Sequence, residues 1–398
     1  MSVRKRTWTT KGVEKSAWVV DYSDQHGKRR QKSFARKKEA DAWAARAKTE
    51  VGDGLHVADS ATVTIETAAK AWLQAVRRAG LEVGTVDQYE RHSRLHIVPY
   101  LGARRLTEMT VPVVRAWQDQ LRDAGRSSTT VRLATGSLGR ILADAQDRGQ
   151  VVRNAVREMA RRPSSSARVE KRQKARLRYG VDIPSTDEIK AIVGAAAGRH
   201  RAIILTAAFA GLRASELFGL SWADIELDQA RLHVRQRADR DRNIGPPKSS
   251  AGRRTIPLPP MVVTALRDWQ PKCPKGDLDL AFPTTTGKVQ GYHNFVRDGF
   301  APTLIAAGVV KASGRQDSDG KAIVAPKYGM HAMRHWFASW CCNRRSDGGL
   351  ELPPKAVQER LGHSTITLTM DVYGHLFPVQ DEAEALAAAE RAFLVDAT

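Results

Sequence analysis

The chain reads as a multidomain α+β protein: a small β-sheet-plus-helix N-terminal module, an all-α helical domain, and a mainly α domain with a small β-sheet. Three observations predict this. The 398 residues exceed one typical domain, and a hydrophobic fraction of 42% can fill real cores. Strand-like runs fall in the first 55 residues and again after residue 230, whereas the stretches between them carry helical periodicity. A Pro/Ser stretch followed by a dense basic run, RRPSSSARVEKRQKARLR, separates front from back at 161–178. The resulting divisions are 1–60, 61–162, a basic linker at 163–180, and 181–398.

In the first module, 17–22 and 30–34 are short β-rich runs joined by a turn at 24–27, and 37–50 reads as a helix with Ala40, Trp43, Ala44 and Ala47 on one face. Gly52 and Gly54 stop it. The second division is helical: 64–79, then 87–97 with a break at Pro99, then 111–124, then 129–147 behind the capping serines Ser127 and Ser128. After the linker, Ser185 with Glu188 three residues on forms a capping-box pattern. Residues 200–219 read as a buried helix pair, 231–237 and 254–258 as strands with Lys248 between them, and the rest as helices to 376. An Ala-rich tail, 381–393, ends the chain, with Leu386, Ala389 and Phe393 on one face.

Charge narrows the function classes. The net charge is +21, and the first 178 residues hold +18 of it. A basic front joined to a nearly balanced back suits a DNA-gripping region attached to specific chemistry. Lys28, Arg29, Arg30 and Lys32 lie on the first module's sheet; Arg91, Arg94, Arg132 and Arg140 on the helical domain; Arg172 and Lys174 on the linker. These are the expected phosphate contacts. No apolar run approaches the length of a membrane span, the N-terminus lacks a secretory pattern, and three cysteines without a Cys-x-x-Cys suit a reducing cytoplasm.

The back half delivers Arg213, Lys248, His331, Arg334, His363 and Tyr373, in that order. Two guanidiniums, an ammonium, two imidazoles and a phenol suit phosphoryl transfer by a protein nucleophile without a metal. Charge builds on the non-bridging oxygens during such transfer, so fixed cationic donors must face them; Arg213 and Arg334 fit that clamp. Lys248 fits the acid that protonates a leaving oxygen, His331 assists proton movement at the nucleophile, and His363 donates to the phosphate. Tyr373 is the nucleophile. Glu216, three residues after Arg213, is expected on the same helix face as its hydrogen-bond partner. His331 and His335 also stand four apart, as metal-binding pairs do, but no third ligand is evident and Ala332 occupies the place of a zinc protease's glutamate. His375 reads as a helix-end residue. No metal and no cofactor is expected.

These segments resemble the motifs of the tyrosine recombinases, the phage-integrase family. The family's Arg of GLR-x-x-E-L falls on Arg213 in Gly211-Leu212-Arg213-Ala214-Ser215-Glu216-Leu217. Its lysine before R-x-I-P-L falls on Lys248, its His-x-x-Arg box on His331 and Arg334, its LGH histidine on His363, and its nucleophile on Tyr373. Upstream, Thr85 to Met159 is similar to the family's helical core-binding domain, and 1–55 resembles the arm-binding module of lambda-type and conjugative-transposon integrases. Asn154-Ala155 departs from the usual Asn-Pro, and 312–327 reads as an insertion, a loop near DNA. The resemblance implies a site-specific recombinase that forms a 3′-phosphotyrosine intermediate and integrates and excises a phage or mobile element. Its implied partners are double-stranded DNA at core and arm sites and a homotetramer on that DNA, with room for a directionality factor and a host DNA-bending protein. No membrane is involved, and the implied location is the nucleoid of a bacterial cytoplasm. A type IB topoisomerase-like enzyme and a catalytically silent DNA-binding regulator are the alternatives.

Overall fold

The computed structural model describes residues 1–10, 13–24, 27–52, 62–160, 176–316, 320, 322–378 and 382–395. The fold is mixed, mostly helical with small sheets, and the chain divides into two compact units, Met1–Ser164 and Ser165–Thr398. Among the described residues no helix is long and apolar enough to cross a membrane.

The first unit opens with an antiparallel sheet of β1 (Ser2–Thr10), β2 (Val13–Ser23) and β3 (Arg29–Phe34), in that order, followed by α1 (Lys37–Gly52). Strand β1 is an addition to the two strands expected from the sequence. It is almost wholly exposed, so no buried alternation marks it. Tyr22 and Phe34 pack on Trp43 of α1, which fixes the helix-covered face. The register places Lys32 opposite Val20 on that same face.

The helical part comprises α2 (Ile65–Arg78), α3 (Val83–His92), α4 (Val98–Leu101), α5 (Val111–Asp123), α6 (Ser128–Asp147) and α7 (Ala155–Ala160). Thr64 and Ser127 cap α2 and α6 by accepting from the N–H three residues on. Trp72, Leu106, Trp117, Leu138 and Ile141 fill its core. Pro99 does not break the chain's helical course. A π-turn, Ser93–Ile97, links α3 to α4, and the Val98 N–H reaches back five residues to Ser93 O. The wider turn admits the proline near the start of α4, where it has no N–H to miss.

The second unit starts at α8 (Thr186–Ala195), whose Ser185–Glu188 capping box is present in both directions. Helix α9 (Arg201–Ala210) is buried almost all round, α10 (Ala214–Phe218) follows a left-handed Gly211, and β4 (Ile225–Glu226) and β5 (Arg231–Val234) lead into a small hairpin of β6 (Arg237–Ala238) and β7 (Ile244–Gly245). Strand β8 (Arg254–Pro257) returns to pair with β5. Helices α11 (Pro260–Trp269), α12 (Tyr292–Phe295) and α13 (Ala301–Ala306) come next. The segment expected as a loop at 312–327 is instead largely an antiparallel hairpin of β9 (Val310–Gln316) and β10 (Ala322–Pro326). Its base is pinned where Lys327 and Tyr328 both bond Glu188. The chain then runs through α14 (His331–Cys342), α15 (Pro354–Leu361), α16 (Ile366–Tyr373) and α17 (Glu382–Val395). On α17, Leu386 and Phe393 are exposed; the Ala389 side chain lies outside the described residues.

Candidate active site

Helix α9 ends at Gly211, whose φ of +60° suits glycine, and the chain leaves in extended form through Arg213. Arg213 is therefore the residue preceding α10, not a member of the helix, and its bond to Glu216 is a capping contact in place of the expected helix-face pair. The Arg213 N–H donates to Glu216 Oε2 (3.0 Å) and its guanidinium to Oε1 (2.6 Å), while Nη2 reaches Gly362 O at 3.2 Å. The Arg213 side chain keeps 32% of its surface open, so its charge can meet a ligand.

Glu216 is buried and serves a second cation that sequence reading missed. Arg254, on β8, donates to Glu216 Oε2 (2.8 Å), to Arg360 O (2.8 Å) and to Gly252 O (2.9 Å). Burial alone raises a carboxyl pKa, but Arg254 and the Arg213 N–H outweigh it and hold Glu216 at about 2. The signal was present in the sequence: Arg254 is the arginine of the R-x-I-P-L stretch.

Arg334, on the first turn of α14, is 2% exposed and donates to Gly211 O (2.6 Å) and Leu361 O (2.5 Å). Burial and the neighbouring Arg213 and Arg254 lower its pKa, yet it remains charged at neutral pH. The left-handed turn at Gly362 thus presents two successive carbonyls, Leu361 O to Arg334 and Gly362 O to Arg213. One turn registers both guanidiniums.

His363 follows that turn. Its Nδ1 lies 2.9 Å from Thr369 Oγ1, which leaves Nε2 as the nitrogen that can carry a proton toward a phosphate oxygen. Burial first, then Arg334, Arg213 and Arg254, push its pKa down to about 4. The Tyr373 ring, at the end of α16 and 2% exposed, lies parallel to the His363 ring with centroids 6.3 Å apart. Burial raises the phenol to about 12 against the opposing pull of Arg334 and Arg213.

The Tyr373 Oη is hydrogen-bonded to Nδ1 of His335, at 2.7 Å. Sequence reading gave the proton work at the nucleophile to His331 and treated His335 only as half of a metal pair. In the fold, His331 opens α14 with an exposed face and meets His335 edge-on, at 4.6 Å between centroids. The spacing of four on one helix was the available signal for His335. Lys248 is exposed on the bend between β7 and β8, on the segment that carries Arg254 inward. His375 bonds Leu177 O at 2.7 Å.

The basic surface residues divide. Lys28 and Arg29 are exposed, but Arg30 is paired with Asp24 (3.0 Å) and Lys32 sits over the Trp43 ring (5.0 Å), both toward the helix-covered face. Strand alternation explains this, since 30 and 32 share a face with Phe34. The register puts Arg4 and Arg6 of β1, which sequence reading passed over, on the outer face instead. Arg91, Arg94, Arg132 and Arg140 are exposed, with Arg140 also against the Tyr89 ring (5.4 Å). Arg172 and Lys174 lie outside the described residues.

Known proteins share the sequence pattern and the fold. A XerC-like tyrosine recombinase of Caldanaerobacter subterraneus is 27% identical over 380 residues, covering 90% of this chain and 91% of its own. The transposon Tn1549 integrase, solved in complex with transposon right end DNA, shares the fold at a TM-score of 0.58 and 20% identity, over 83% of this chain and 99% of its own. A lambda integrase tetramer bound to a Holliday junction aligns at a TM-score of 0.53 and 17% identity, over 92% and 95%. Residues 185–379, the segment that holds every residue of the cluster, match the phage integrase family. This segment belongs to the phage integrase family of tyrosine recombinases.

Proposed function

We propose that the chain is a site-specific DNA recombinase that cuts one strand through a 3′-phosphotyrosine link and rejoins it to a new partner. The observation that carries this is the convergence of Arg213, Arg334, His363 and Tyr373 around the Gly362 turn. A scissile phosphate beside that turn meets two guanidiniums whose positions are already fixed by carbonyls, so little reorganisation accompanies the build-up of charge. Each such donor is worth about 3 kcal/mol at the transition state. The His363 Nε2 supplies a further donor, and Lys248 protonates the leaving 5′ oxygen. The bond energy is kept in the phosphotyrosine, so rejoining needs no nucleotide cofactor.

In this reading 1–60 binds arm-type DNA, 61–162 grips the core site, 181–398 cuts, and 163–180 straps the gripping region to the cutting one. Four copies act on two sites in the bacterial cytoplasm, inserting and excising a mobile element, with a directionality factor and a DNA-bending protein as accessory partners. Lambda integrase, a tetramer on a Holliday junction, supports the four-copy form.

The test uses a pool of nicked duplexes with a randomised core. Wild-type protein is expected to capture a subset as an adduct that survives detergent, with or without EDTA. Arg213→Gln and Arg334→Gln should still bind the captured sequence while cleaving at least about a hundredfold more slowly. Capture of nothing, or cleavage abolished by EDTA, overturns the reading.

A further inference from the structure

Cleavage through Tyr373 requires a group to take the phenolic proton, and the residue bonded to that phenol, His335, lies outside the six-residue motif. We propose that Nδ1 of His335 takes the proton of Tyr373 Oη during cleavage and returns it during rejoining. This rests on the recombinase reading above.

Three observations carry it. Among the described residues the hydrogen-bond partner of Oη is His335, at 2.7 Å, within the reach a general base needs. His363, the other imidazole near the phenol, is parallel to the Tyr373 ring and has its Nδ1 against Thr369. His331, one helical turn before His335, stands edge-on to it on the exposed side of the pocket. A phenol held near 12 has almost no phenolate at neutral pH, so its proton must leave as the bond to phosphorus forms.

The surroundings suit an acceptor. Burial, then His331 and Arg334 on its own helix, hold His335 at about 4, with Asp182 pulling the other way and Tyr373 on the facing helix. It is therefore neutral in the resting enzyme and can accept. An anionic phosphate entering beside Arg334 raises its basicity when the base is needed. In cleavage the Oη–P bond forms and the P–O5′ bond breaks; the phenolic proton moves to Nδ1 and O5′ takes a proton from Lys248. Rejoining reverses each transfer.

Single-turnover cleavage of the captured duplex tests this, with the ordinary phosphate and with sulfur in place of the bridging 5′ oxygen. Asn is the chosen substitution because it keeps an acceptor near the Nδ1 position but cannot hold a proton. His335→Asn should bind the duplex, keep its melting temperature within a few degrees, and cleave about a hundredfold more slowly. The sulfur substrate should restore Lys248→Ala, whose missing proton is on the leaving side, and leave His335→Asn slow. A wild-type or faster rate for His335→Asn, or its rescue by sulfur, overturns the assignment. If that variant fails to fold, histidine-selective 15N labelling of the wild-type chain decides. An unprotonated Nδ1 whose shift moves with Tyr373→Phe supports the proposal, and an Nδ1–H tautomer overturns it. Failure of wild-type capture sinks the recombinase reading itself, whereas a normal His335→Asn sinks only this step.

Discussion

Glu216 holds the cationic side of the site together. It is buried against Arg254 and Arg213, so removing one partner leaves a charge in a place that water cannot reach. Arg254→Met should destabilise the fold by about 3 kcal/mol, read by urea denaturation, and should slow cleavage because Glu216 and the Gly362 turn lose a shared anchor. The carboxyl also sets a pH dependence. Its folded pKa, about 2, lies below the 4.5 of an unperturbed glutamate, so its contribution is fully present above 4.5 and is lost as pH falls through the folded value. The shift corresponds to a contribution on the order of 3 kcal/mol. Glu216→Gln should flatten the acid limb of the stability curve between those two values.

At the scale of elements, two left-handed glycines do the positioning. A Cβ on Gly211 would lie 2.2 Å from Phe337 Cδ1, and its φ of +60° disfavours any side chain. Gly211→Ala should therefore cost about 2–4 kcal/mol in a thermal or urea melt and displace the carbonyl that Arg334 uses. The elements that sequence could and could not reveal divide on physical lines. Arg213, Arg334, His363 and Tyr373, which the fold gathers around one turn, could be picked out beforehand because their motifs are local. Arg254 and His335 act through partners 38 residues away in each case, Glu216 and Tyr373, which only the fold brings near. Strand β1 escaped because both its faces are exposed. The course past Pro99 escaped because a π-turn absorbs the missing donor.

Over the whole molecule, charge decides how DNA is met. With +18 of the net +21 in the first 178 residues, DNA affinity should fall linearly on a log–log plot against salt. Removing 1–60 should lessen that slope and leave core-site cleavage intact while complete recombination between two sites fails. Full recombination by the shortened chain contradicts the arm reading. Arg4, which pairs with Asp21, and Arg6 share the outer sheet face with Arg29, and replacing both by Gln should reproduce the truncation.

If Tyr373 is the nucleophile, it becomes covalently joined to DNA during cleavage. Mass spectrometry of the protease-digested adduct checks this. The expected result is one peptide, containing Tyr373, that carries a 3′-phosphoryl nucleotide, and no adduct at all from Tyr373→Phe. A nucleotide on any other side chain, or an adduct of undiminished yield from Tyr373→Phe, contradicts it.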